Sequence, residues 1–229
     1  MLSDPSRLGN VEDGDPEPLF DPEFWRRRGE LTEAPGGRGA AWFVGGGERQ
    51  WVLRHFRRGG FIARVSRDSY VWTGEDRVRA FAEWRLLNLL TYRGLRVPRP
   101  IIARYQRSGL IYRCDLITQR ILDTETLSAL LGKAPLPEAT WRAVGAAAAQ
   151  LHRAGVDHAD LNAHNLLLDS KGMVSVIDFD RGRERAPGTW STRNLQRLRR
   201  SLEKIALGLP PGRYSGENWQ WLLAGYKAR

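Results

Sequence analysis

A chain of 229 residues, 41% hydrophobic and with nine tryptophans, is long enough for one large domain or two modest lobes around an ample core. Its one cysteine, Cys114, excludes an internal disulfide and fits a reducing compartment, and its four scattered histidines exclude a zinc module. The net charge of +10 is uneven: residues 1–23 carry seven acids against Arg7, so the remainder holds about +16, a surplus that draws polyanions.

Residues 1–22 lack periodicity and contain four prolines, which reads as an acidic, flexible N-terminal segment. The Met-Leu-Ser-Asp-Pro start does not read as a signal peptide, and no apolar run approaches the ~20 residues of a membrane span. A glycine-rich hairpin follows. Gly36, Gly37 and Gly39 lead into a strand over 40–44, then the turn Gly45-Gly46-Gly47, then a strand over 50–56. Glycines at such a turn let backbone N–H groups approach phosphates, so Gly37 and Gly39 are candidate nucleotide-binding positions. Val52-Leu53-Arg54 resembles a strand that carries a phosphate-gripping lysine in kinases. No lysine precedes Lys133, so Arg54 is the candidate for that role.

The stretch 57–72 is basic with interleaved aromatics, a loop of open function. A helix is expected over 75–90, with Val78, Ala82, Leu86 and Leu89 on one face; Glu83, midway, resembles the kinase helix glutamate that would pair with Arg54. Strands over 101–105 and 110–119 feed Gln119-Arg120-Ile121-Leu122, which resembles a kinase hinge and makes Gln119 and Ile121 candidates to meet adenine through backbone groups. A short helix is expected over 126–131. A long one over 138–152 carries Trp141, Val144, Ala148 and Leu151 on its apolar stripe.

The stretch 158–180, HADLNAHNLLLDSKGMVSVIDFD, carries the chemistry. Two apolar runs around Asp169-Ser170-Lys171-Gly172 read as a β-hairpin centred near Lys171. Folding there brings Asn165 alongside Asp178, with Asp160 just upstream. Asn165 and Asp178 offer hard oxygen ligands suited to Mg²⁺ on a nucleoside triphosphate. Asp160, apart from the metal, is placed to accept the proton of an attacking hydroxyl. The order His158-x-Asp160, Asn165, Asp178-Phe179 resembles the protein-kinase superfamily. Beyond it, a helix over 191–207 turns Leu195, Leu198, Leu202 and Ile205 inward and Arg193, Arg197, Arg200 and Lys204 outward. A last helix is expected over 217–226.

The blocks WVLRHFRRGG, FAEWRLL, GLRVPRPIIAR, LITQRI and HADLNAHNLLLD with VIDFDRGR resemble the 3-deoxy-D-manno-octulosonic acid (Kdo) kinase family of lipopolysaccharide core kinases, over most of residues 36–185. That resemblance implies an α+β, compact bilobal protein-kinase-like fold. Residues 23–121 would form the N-lobe, an antiparallel sheet plus one helix, and residues 122–229 a reduced, mainly helical C-lobe. It implies ATP-dependent phosphorylation of a Kdo hydroxyl, O4, on Kdo–lipid A. Asp160 would be the catalytic base, Asn165 and Asp178 the Mg²⁺ ligands. The enzyme would be peripheral on the cytoplasmic face of the bacterial inner membrane, its basic surface meeting an anionic glycolipid rather than nucleic acid. Two rivals are a heptose kinase or aminoglycoside-type phosphotransferase of the same fold, and a nucleic-acid-binding module. Cationic acceptors want an acidic surface, the reverse of this chain, and a nucleic-acid module leaves the 158–180 pattern unexplained.

Overall fold

In a computed structural model that describes residues 1–8, 14–34, 41–47, 49–57 and 68–228, the chain divides into two compact units. The first takes in residues 1–88 and 98–120, the second residues 89–97 and 121–229. Gly37, Gly39 and most of the basic 57–72 stretch lie outside the described residues.

The first unit is built from β1 (Leu2–Ser3), a single turn of helix α1 (Pro5–Leu8), α2 (Pro22–Arg27), β2 (Leu31–Glu33), β3 (Ala41–Val44), β4 (Trp51–His55), β5 (Tyr70–Val71), α3 (Arg79–Tyr92, of which residues 89–92 count with the second unit), β6 (Pro100–Ser108) and β7 (Ile111–Gln119). Among the described residues its strands form one sheet in the order β1-β6-β7-β4-β3-β2, with β5 alongside β7 and every pairing antiparallel. Trp51 and Leu53 alternate inward on β4, as a half-buried strand requires, and join Val44, Ile101, Ile102 and Ile117 in the core. Between β3 and β4 the chain turns at Gly45, whose φ is +90°. A Cβ there would meet the Arg49 carbonyl oxygen at 2.3 Å, so only glycine fits.

The acidic N-terminal segment, read from sequence as flexible, takes part in this unit. Leu2 pairs with Ala103, and Leu19 and Phe20, in a 3-10 turn at Glu17–Phe20, lie in the core beside Trp25. Glu17 forms an ion pair with Arg104, whose Nε donates to Asp115 at 2.7 Å, and accepts from Gln106 at 3.0 Å. Its few apolar residues follow no period, because they are used singly rather than along one face. That is why pattern reading missed them.

Helix α3 also departs from expectation. Val78 is extended (ψ 123°), so a 3-10 turn at Glu75–Arg77 stands apart and the helix proper starts at Arg79. Its buried positions are Ala80, Phe81, Glu83, Leu86, Leu87 and Leu90, while Ala82 is exposed. Phe81 and Leu87 have far more apolar area to remove from water than Ala82, and their burial sets the rotation of the helix.

The second unit contains β8 (Thr124–Thr126), α4 (Leu127–Lys133), α5 (Glu138–Arg153), β9 (Val156–Asp157), β10 (Leu166–Asp169), β11 (Val174–Val176), β12 (Arg183–Glu184), α6 (Trp190–Ala206) and α7 (Gly216–Lys227). The stripe expected on α5 is the buried one: Trp141, Val144, Ala148 and Leu151 are all inside. Helices α5 and α7 approach backbone to backbone at two glycines. A Cβ on Gly145 would meet the Leu222 oxygen at 1.9 Å, and one on Gly225 the Arg142 oxygen at 2.1 Å. The hairpin β10–β11 is present, extended by β8 on its far side. An antiparallel sheet with one main helix in the first unit, and a mainly helical second unit, give the expected α+β, protein-kinase-like fold.

Candidate active site

Hairpin β10–β11 pairs Leu166 with Val176 and Leu168 with Val174. The ladder continues with the Ile177 N–H donating to the Asn165 carbonyl at 3.0 Å. Asn165 therefore faces Ile177, and Asp178 lies one residue past the alignment expected from sequence. In a continued strand Asp178 would fall on the opposite face. It does not continue the strand: its φ is +65°, a left-handed conformation that breaks the alternation. Ala159, next to Asp160, is left-handed too at φ +57°. Non-glycine residues held there cost of order 1–3 kcal/mol each, and such strain collects where a side chain must be aimed.

His158 explains how the two strained points are tied together. It is fully buried, although it opens a run rich in polar residues. Its Nε2 donates to the Ile177 carbonyl at 2.9 Å, and its ring lies 4.6 Å from that of Phe179. Burial pushes its pKa below the usual imidazole value, outweighing the Ile177 carbonyl and the charges of Asp178, Asp160 and Asp157. A neutral imidazole with Nε2 committed to a carbonyl is a pin between the 158–165 loop and the start of the 178–180 turn. It is not poised for proton transfer.

Helix α6 lies along the same loop and holds it at three points. Asn194 Oδ1 accepts the His158 N–H at 3.1 Å, Arg197 binds Asp160, and Ser201 Oγ accepts the Ala163 N–H at 3.2 Å. Positions 194, 197 and 201 share one helical face. Asn194 also donates to Asp157 at 2.9 Å. Burial alone would raise the Asp157 carboxyl, but bonds from Asn194, Arg185 and the Ala159 N–H hold it below the usual carboxylate range.

Asp160 is partly exposed and its two oxygens differ. Oδ1 accepts from Arg197 Nε at 2.7 Å, lies 2.5 Å from Arg197 Nη2, and receives Asn162 Nδ2 at 3.3 Å. No hydrogen bond from the described residues falls on Oδ2. Asn165 is buried, and its Nδ2 donates to the Asp160 carbonyl at 3.1 Å, so the amide oxygen is the atom it could offer to a cation. One amide oxygen and one carboxylate are a fitting protein share for Mg²⁺, which takes few protein ligands and completes its shell with phosphate and water. Among the described residues no three His, Cys, Asp or Glu side chains gather into a cage that would hold a metal without nucleotide.

In the first unit Arg54 sits on β4 and Glu83 on α3, and the two form the ion pair expected from sequence. Glu83 is only 3% exposed. The Arg54 guanidinium also lies over the Phe56 ring, 4.6 Å from its centroid. Gln119 ends β7 with its N–H on the Arg99 carbonyl at 2.8 Å, and Ile121 begins the second unit. Arg197, Asn194 and Asn162 were not singled out by sequence reasoning. Arg197 reads there as one of four outward cations, and nothing local distinguishes it.

Residues 22–226 match the Lipopolysaccharide kinase (Kdo/WaaP) family. The 3-deoxy-D-manno-octulosonic acid kinase of Photobacterium profundum is 40% identical over 218 residues, covering 95% of this chain and 92% of that protein. The enzyme of the same name from Vibrio parahaemolyticus is 43% identical over 191 residues, 83% of this chain and 80% of its own. That of Xanthomonas axonopodis pv. citri is 49% identical over 191 residues, 82% and 75% respectively.

Proposed function

From the premise that this chain belongs to the lipopolysaccharide kinase (Kdo/WaaP) family, we propose that it transfers the γ-phosphoryl group of ATP to O4 of a Kdo residue on Kdo–lipid A. The observation that carries the reading is the asymmetry of Asp160. One carboxylate oxygen is held by Arg197 and Asn162, and the other accepts no hydrogen bond from the described residues, in a loop strained at Ala159. A carboxylate so oriented accepts the proton of an acceptor hydroxyl as the bond to phosphorus forms.

Asn165 and Asp178 would hold Mg²⁺, which when bound supplies positive charge to the nucleotide phosphates. His158, neutral and pinned to the Ile177 carbonyl, fixes the loop relative to the turn that carries Asp178. Arg54, oriented by Glu83, grips ATP phosphate with its planar fork, and Gln119 and Ile121 meet the adenine through backbone groups.

A peripheral position on the cytoplasmic face of the inner membrane completes the proposal, since ATP is supplied there. Two features support it. No helix among the described residues is long and apolar enough to cross a membrane. Helix α6 turns Arg193, Arg200 and Lys204 outward and is followed by Leu207, 90% exposed, a combination suited to anionic headgroups. The test is mass spectrometry of Kdo–lipid A after incubation with enzyme and Mg·ATP, with phosphorus-coupled NMR to locate the group, and a core heptose acceptor in parallel. A phosphoryl gain on the heptose alone would replace Kdo as the acceptor.

A further inference from the structure

The proposed acceptor poses an electrostatic problem. An octulosonic acid carries its own carboxylate, and the proposed base Asp160 is a second one. Bringing the acceptor hydroxyl within hydrogen-bond reach of Asp160 brings two like charges together, which is unfavourable without a cation between them. The described residues place one cation at Asp160: Arg197, reaching in from α6 with Nε at 2.7 Å and Nη2 at 2.5 Å from the same oxygen. A guanidinium has five donors, and Arg197 Nη1 bonds no described residue.

Arg197 is not the loop's sole anchor. Asn194 and Ser201, on the same helical face, bind the loop backbone on either side of Asp160. The guanidinium is 48% exposed and Asp160 36%, so this pair is not a buried structural bridge. A buried amide contact and a part-buried hydroxyl contact flank the loop, while the charged contact is the more exposed of the three.

We propose that Arg197 is a specificity residue for acid sugars, binding the acceptor's carboxylate through its free Nη1 edge while Nε and Nη2 keep Asp160 Oδ1 oriented. The proposal rests on the Kdo reading above. It makes the acceptor's carboxylate part of the recognition, and it explains why the base is paired with an arginine rather than left to water. A lysine would not serve equally, because a point charge lacks the planar set of donors needed to join two carboxylates.

The experiment crosses enzyme and substrate. Wild type, Arg197→Gln and Arg197→Lys are assayed on Kdo–lipid A and on its carboxamide, made by carbodiimide amidation, at saturating Mg·ATP. On the carboxylate acceptor Arg197→Gln should lose roughly 10–100-fold in kcat/KM, chiefly through the KM for acceptor, as expected when a charged hydrogen-bond partner is removed. Arg197→Lys should recover part of that loss. On the carboxamide Arg197→Gln should keep only the loss in kcat that comes from a less firmly oriented Asp160, with the KM for acceptor within about threefold of wild type in all three proteins, and the KM for ATP should stay constant throughout. Equal losses on both acceptors would overturn the specificity role and leave Arg197 as a positioning residue for Asp160 alone. A wild-type enzyme inactive on the carboxylate acceptor would instead overturn the Kdo reading itself, so the two failures are distinguishable. Circular dichroism and urea unfolding of each variant exclude a folding defect.

Discussion

Asn194 on α6 accepts the backbone N–H of His158 at 3.1 Å while donating to the Asp157 carboxylate at 2.9 Å. One buried amide thus joins a helix to the entrance of the loop that carries Asp160, and both its ends are committed. Replacing it with leucine leaves a buried N–H and a buried carboxylate short of partners. Asn194→Leu should lose about 2–4 kcal/mol of stability, read as a lowered urea midpoint. Ser201→Ala, at the other end of the loop, should cost only about 1 kcal/mol. Equal and negligible effects would show that α6 does not anchor the loop.

Asp160→Asn removes the proton acceptor with little change of shape at a partly exposed position. The fold should persist while kcat drops by roughly 10²–10⁴-fold, the usual cost of losing a general base. Near-normal turnover in a folded variant would remove Asp160 from the mechanism.

Asn165→Ala and Asp178→Ala should each abolish transfer and weaken Mg-dependent nucleotide binding, Asp178 more severely because it carries charge. Titration calorimetry with ATP, with and without Mg²⁺, separates this from a general loss of nucleotide affinity. Unchanged Mg·ATP affinity in both variants would be incompatible with the proposed ligand pair.

Arg54 and Glu83 predict a non-additive cycle. Glu83 is nearly fully buried and ion-paired with Arg54, so Arg54→Ala should also cost stability, about 1–3 kcal/mol for the lost charged hydrogen-bond partner. For kcat/KM with ATP, the double variant should be little worse than the poorer single, because both remove one contact. Strict additivity, or a silent Arg54→Ala, would put the phosphate clamp elsewhere.

His152 ties acid stability to the second unit. Burial pushes its pKa from 6.5 down to about 4, and its Nδ1 lies 2.8 Å from the Tyr226 hydroxyl. The folded value lies below the unfolded one, so the unfolded chain binds the proton first as pH falls. Its contribution is fully present above 6.5 and is lost between 6.5 and about 4, by at most about 1.4 kcal/mol per pH unit. His55 runs the other way. Its bond to Asp115 raises its pKa despite burial, so its contribution is present below 6.5 and fades as pH rises through the raised value. Urea unfolding of wild type and His152→Phe from pH 7.5 to 4.5 isolates the first effect. Parallel stability curves for the two proteins would remove His152 as its source.

The parts read correctly from sequence are those governed by local physics. The α5 stripe follows from helical periodicity, and the β10–β11 hairpin from a polar turn between apolar runs. Asp160, Asn165 and Asp178 stand out in the sequence because hard-oxygen and proton-accepting chemistry requires such residues, and the roles given to them belong to the proposal. Even there a limit showed: the hairpin register is one residue from expectation, because a strand pattern does not reveal that Asp178 takes a left-handed conformation. The Arg54–Glu83 pair was legible only through its likeness to a known strand and helix, since 29 residues separate the partners.

What tertiary structure alone decided is the setting of those residues. The loop holding Asp160 is bound by Asn194, Arg197 and Ser201, contacts that span 36, 37 and 38 residues. Sequence periodicity marked Leu198 and Leu202 as inward, and both are buried. It read Arg197 as one exposed cation among four and passed over Asn194, because amphipathicity sorts residues by water affinity and not by partner. Which cation meets the carboxylate depends on the angle at which α6 is laid against the loop. That angle is set by the whole packed core of the second unit, and no window of sequence contains it.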